Sequence, residues 1–313
     1  MKKIFFILLT ILIHQKFFSQ KFPSHIDSLK TDKEIEDLIN SIMNEHQPIK
    51  IKKIADFQEE NGSNNFCKRI ADSLEINKSF YMADFDSNGY TDLMAFGDHY
   101  DFSIFIVMNY GKDSLKVNRL TRRSFQNCTF PKIKNDSIIQ YYYMSEPNLD
   151  SDNIEKPKLM KKDLVFKFGD FIEYNPNPNS YSIEKIEYQT GVCFGTCPEF
   201  YISIDQNRNG LFKAEYYNTN KAKSNKEIVG TFKTLVTKNN YDEIIHLLNY
   251  IDFPKLQDRY SVNWTDDHSS RLKITYNNGK VKEINDYGLI GTYGLDRIYS
   301  LLFDLRFNQD WKK

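Results

Sequence analysis

The sequence predicts an α+β protein of two domains, each a mainly antiparallel sheet with one or two helices. Three observations lead there. Period-two alternation recurs in short runs, as where Phe200, Ile202 and Ile204 alternate with Tyr201, Ser203 and Asp205. Turn signals such as Asn277-Asn278-Gly279 separate neighbouring runs at hairpin spacing. Aromatic residues make up 15% of the chain, with 20 Tyr and 24 Phe, which suits solvated sheet with helices added.

The chain opens with Lys2-Lys3, an apolar run from Ile4 to Ile13, and Ser19-Gln20. A charged start, a short apolar core and a small residue near a processing point read as a secretory signal over residues 1–20, cut near Ser19 or Gln20. The run is well short of the ~20 residues that a membrane span needs. Export permits disulfides. Removing Lys2, Lys3 and Lys16 leaves 39 basic residues against 42 acidic ones. That balance, with no long basic run, argues against a nucleic-acid partner. The absence of a second long apolar stretch argues against a membrane span in the mature chain. The expected address is the periplasm or the outside, with an envelope or extracellular partner.

The first domain is expected over residues 21–174. Thr31-Asp32-Lys33-Glu34 reads as a capping box. Ile35, Leu38, Ile39, Ile42 and Met43 then share one face of a helix over about 32–45. Next comes Asp84-Phe-Asp86-Ser-Asn88-Gly89-Tyr90-Thr-Asp92. Oxygen donors at positions one, three, five and nine, with Gly at six for the sharp turn, suit Ca²⁺, and the Tyr90 carbonyl would supply position seven. The loop is not an EF-hand, because Ala95 stands where a bidentate Glu belongs and strands flank it. It resembles the calcium loop of FG-GAP repeats, departing from it at Asn88 and occurring as a single copy, so the resemblance implies the loop and not a propeller. The competing reading is an Asp/Asn/Gly-rich turn open to solvent. Strands are expected at 102–109, 115–120, 137–144 and 164–168, with a long polar loop over 145–162. Tyr141-Tyr142-Tyr143 reads as an aromatic sheet face. Cys67 and Cys128 are a possible pair.

Asn175-Pro176-Asn177-Pro178-Asn179 marks a linker at 175–180, and the second domain follows over 181–313. Strands are expected at 183–190, 199–206, 211–218 and 227–235. A helix capped from Asn240 comes next, then a hairpin at 274–284 and a helix over 294–306. Cys193 and Cys197 would lie roughly 13 Å apart in an extended strand. A disulfide needs about 5–6 Å, so the chain must fold back, and Gly195 permits the positive φ of such a turn. The spacing favours a structural disulfide over the two alternatives. A thiol redox pair of the thioredoxin type has two intervening residues and opens a helix. A zinc site would want further Cys or His ligands nearby.

The Cys193-Phe-Gly-Thr-Cys197-Pro198 loop resembles the family called domain of unknown function 6438. So do the turn at Asn209-Gly210, Tyr260, Asp266-Asp267, the hairpin Lys280–Tyr287 and a closing helix ending near Trp311. The resemblance covers about 180–313 and implies a fold without an established activity.

Asp266, Asp267 and His268 are the only cluster of this half that resembles acid–base equipment, and they carry the alternative reading of an envelope hydrolase. No Gly-x-Ser-x-Gly, His-Glu-x-x-His or phosphate loop accompanies them. The leading expectation is an exported, non-catalytic binding or structural module at the cell envelope.

Overall fold

The computed structural model describes residues 21–44, 46–53, 66–112, 114–122, 128–135, 137–144, 158–222 and 226–313. The expected signal over 1–20 and most of the loop expected over 145–162 lie outside the described residues. Three sheets and four helices make up the rest, so the chain is α+β and antiparallel-rich.

The first half has two sheets where one was expected. One contains β1 (Lys50–Ile51), β2 (Phe80–Ala83), β3 (Asp92–His99), β4 (Asp101–Asn109) and β5 (Leu115–Arg119), in the order β1-β3-β4-β5 with β2 also on β3. The other is a meander of β6 (Phe130–Lys134), β7 (Ile138–Met144), β8 (Leu159–Lys167) and β9 (Asp170–Glu173). Residues 159–162, expected as loop, are therefore strand. The helix α1 (Asp32–Met43) covers one face of the first sheet, setting Ile35 and Ile39 against Leu93, Ala95, Phe105 and Val107. The second sheet covers the opposite face, where Phe96, Ile104 and Ile106 meet Phe130, Ile139, Tyr141 and Leu164. Strands covered on both sides need apolar residues on both sides, which explains the unbroken runs Leu93–Phe96 and Ile104–Met108. Tyr141 is buried in this layer, so part of the tyrosine run is core.

The α1 cap forms as expected. Glu34 N donates to Thr31 Oγ1 at 3.3 Å and Thr31 N donates to Glu34 Oε2 at 2.9 Å. Helix α2 (Phe66–Ser73), β1, β6 and β9 were not legible as elements. Cys67 on α2 and Cys128 stand at disulfide distance, with Cα atoms 4.8 Å apart.

The second half is one seven-stranded sheet with two helices on one face. Its strands are β10 (Ile183–Thr190), β11 (Glu199–Asp205), β12 (Asn209–Tyr216), β13 (Gly230–Leu235), β14 (Arg259–Ser261), β15 (Ser269–Tyr276) and β16 (Lys280–Tyr287). They lie in the order β13-β12-β11-β10-β15-β16-β14, and only the β14–β16 pairing is parallel. The turn between β15 and β16 holds Asn277, Asn278 and Gly279 all at positive φ. Helices α3 (Lys238–Tyr250) and α4 (Tyr293–Asn308) set Leu247, Leu248, Ile298, Leu302 and Leu305 against Tyr188, Phe200, Ile202, Phe212 and Leu272. Helix α3 starts before the expected Asn240 cap, with Thr237 at its N-cap and no side-chain cap bond.

The Asn-Pro-Asn-Pro-Asn stretch is tied down. Asn175 N donates to Tyr250 Oη at 3.0 Å, and Asn179 Nδ2 donates to Asp252 Oδ2 at 2.9 Å. The halves also meet at the start of α4. Glu173, at the end of β9, accepts the backbone N–H groups of Tyr293 and Gly294, both at 2.9 Å. These are two of the N–H groups that a helix start leaves without an internal acceptor. Arg122 donates to the carbonyls of Leu289 and Gly291 in the loop before the helix. Inside the second half, Asp286 accepts Ile290 N and Gly291 N, both at 2.9 Å, and so shapes that same loop.

Candidate metal centre and cysteine loop

The Asp84–Asp92 loop joins β2 to β3. Its ends are fixed by pairing, Ala83 lying opposite Asp92. The chain turns tightly at Ser87, with φ +59°, and at Gly89, with φ +90°. One carboxylate oxygen from each of Asp84, Asp86 and Asp92 lies within 4.8 Å of the others. Backbone N–H groups hold them there. Asp84 accepts Asn88 N at 3.0 Å and Gly89 N at 2.9 Å. Asp92, fully buried, accepts Phe85 N at 2.8 Å and Asn109 N at 2.7 Å.

Asn88 stands at the expected fifth position. Its Oδ1 accepts Tyr90 N at 2.7 Å, and its Nδ2 reaches the Asn109 carbonyl at 2.8 Å. Local spacing does not point to Asn109, because it lies on β4. It closes the back of the loop by donating through Nδ2 to the Thr91 carbonyl. The Tyr90 ring stacks on Phe22, and Phe22 N donates to the Gly89 carbonyl at 2.8 Å. The same ring covers Gly111, where a Cβ would sit 2.6 Å from it.

Burial and mutual charge both work against ionisation of these carboxyls. Burial pushes the Asp92 carboxyl up to about 7, and the neighbouring charges of Asp86 and Asp84 push the same way against two backbone hydrogen bonds. Burial also raises Asp86, with Asp84 beside it. A donor set of carboxylate, amide and carbonyl oxygens suits a hard cation such as Ca²⁺, and the loop offers no thiolate or imidazole for a softer one.

In the second half, Cys193 and Cys197 stand at disulfide distance, with Cα atoms 5.7 Å apart. Gly195 takes φ +128° between them. The loop opens strand β11 rather than a helix. It presents Phe194 to solvent at 88% exposure, and Phe194 N donates to the Asp266 carbonyl. The three residues of the hydrolase reading do not converge. The Asp267 carboxylate accepts the Trp264 indole N–H at 2.9 Å and the His268 backbone N–H at 2.7 Å. The His268 Nε2 is buried with no hydrogen-bond partner. Burial holds that imidazole below its usual value, with Arg306 acting in the same direction and Asp267 opposing it.

Residues 184–306 match the family described as a domain of unknown function, number 6438. The match takes in the cysteine loop, most of the seven-stranded sheet and α3, and stops inside α4. The Asp84–Asp92 loop lies outside it. No curated protein and no solved structure gives a significant match to the chain. Among the described residues no helix is long and apolar enough to cross a membrane.

Proposed function

We propose that this protein is an exported, non-catalytic binding or structural module of the cell envelope, with a first half tightened by one Ca²⁺ ion. Asp84, Asp86, Asn88 and Asp92 would supply side-chain oxygens and Tyr90 its carbonyl. The observation that carries the ion is the convergence of three carboxylates in a loop whose backbone is already tied. Such a trio repels itself unless a cation sits between its members. We read its role as structural, because backbone N–H groups of the loop and of β4 already engage the carboxylates. Export is supported by the charged and apolar start of the chain and by two cysteine pairs at disulfide distance, which persist in oxidising compartments. The 6438-like half would present the binding surface, with Phe194 on its pinned loop as an exposed anchor.

The test is thermal unfolding of the mature protein with excess Ca²⁺ and with chelator, on wild type and Asp86→Ala. Ca²⁺ at about 100 times its dissociation constant should stabilise the wild type by about 2.7 kcal/mol. Asp86→Ala should lose that increment. A wild type indifferent to Ca²⁺ would make the loop an ordinary turn.

A further inference from the structure

A second feature lies in the first half, outside the residues of the family match. It is a groove of about 580 Å³ between the C-terminal end of α1 and the edge strand β5. Its apolar wall is built from Ile42, Met43, Leu115 and Val117. All four are half-buried, so each turns part of its surface to the groove. Ligand sites commonly occupy 300–1,000 Å³, mostly apolar with a few placed polar groups.

The polar group here is Arg119. Its guanidinium lies 5.4 Å from the centre of the Phe105 ring, directly across the β4–β5 ladder. It also donates to His99 Nδ1 at 2.6 Å. That bond gives the guanidinium a ring nitrogen, not a carboxylate, as its partner. Among the described residues no carboxylate lies within ion-pair distance of Arg119, and none lines the groove. Tyr100 stands at the opening, 78% exposed and held at φ +65°.

We propose that this groove binds a small amphipathic carboxylate, its hydrocarbon tail along Ile42, Met43, Leu115 and Val117 and its headgroup on the Arg119 guanidinium. A planar guanidinium matches a carboxylate with two parallel hydrogen bonds. An apolar wall ending in a cation without a carboxylate partner complements such a ligand at both ends. A neutral alcohol would leave the cation unmet. A short organic acid would leave the wall wet.

The experiment is calorimetric titration of the protein with hexanoate, octanoate and decanoate below their micelle concentrations, with decanol as the neutral control. Each two-carbon step should tighten binding about tenfold until the groove is filled. Decanol should bind at least about tenfold more weakly than decanoate, and Arg119→Gln should lose about the same factor for decanoate. Val117→Trp should abolish binding by filling the groove. Circular dichroism checks that each variant is folded, and either variant alone carries the test. The proposal is overturned by an absence of saturable decanoate binding at millimolar concentration. It is equally overturned if decanol matches decanoate, or if folded Arg119→Gln or Val117→Trp binds decanoate as the wild type does.

Discussion

The two cysteine pairs do opposite jobs at similar geometry. Cys67 and Cys128 close 61 positions of chain and tie α2 to the second sheet of the first half. Cys193 and Cys197 close four and pin a turn at the head of β11. A cross-link acts mainly on the unfolded chain, in proportion to the logarithm of the loop it closes. The long pair therefore constrains how a domain unfolds. The short pair constrains only how one loop is presented. The first half also carries the trio of carboxylates, so its stability depends on groups that chemistry can remove. The second half rests on a continuous apolar layer between one sheet and two helices.

That contrast can be broken in order of expected size. Replacing Cys67 and Cys128 together by Ser should cost about 4 kcal/mol in urea unfolding. A loss below about 1 kcal/mol would mean that the long cross-link adds little to the first half. Calcium removal should come next, at the ~2.7 kcal/mol given above for saturating ion, and should move only the first half. Hydrogen exchange that slows across the seven-stranded sheet on adding Ca²⁺ would contradict the division of labour. Replacing Cys193 and Cys197 by Ser should cost about 2 kcal/mol at most, with faster exchange confined to the loop and the start of β11. Uncapping α4 by Glu173→Ala should cost about 1–2 kcal/mol, read as a lower midpoint for the second half. The smallest effect is that of pH on His268. Burial depresses its native pKa below the unfolded value, so the unfolded state binds the extra proton. Stability is then full above about pH 6.5 and falls as the pH drops through that value. The ring is partly solvated, so the fall should stay under about 1 kcal/mol. Its disappearance in His268→Gln, in a pH series of denaturation midpoints, is the check.

Much of this was legible wherever one residue's neighbours in sequence are also its neighbours in space. The α1 capping box, the Asn277–Gly279 hairpin and the fold-back around Gly195 are all of that kind. The three-layer first half was not legible. A strand covered on both faces loses its alternation, and its covering sheet can be any apolar element elsewhere in the chain. The edge pieces β1 and β14 are only two and three residues long and carry no period at all. Asn109 is invisible to local spacing because it acts on the Asp84–Asp92 loop from another strand. Asn175–Asn179 has the composition of a linker, yet asparagine side chains serve equally well to tie a segment down. What fixes it is Tyr250 and Asp252, more than seventy residues away.

The Glu173 carboxylate bears on how the chain can be dissected. A fragment cut at the limits of the family match, 184–306, would carry the first turn of α4 without its acceptor. It would also lack Trp311, whose ring packs on Phe212 in the sheet. Recurrence in sequence and independence in folding thus have different borders in this protein. A graft or expression clone of the 6438-like half would do better to begin before β8, so that Glu173 travels with the helix it caps.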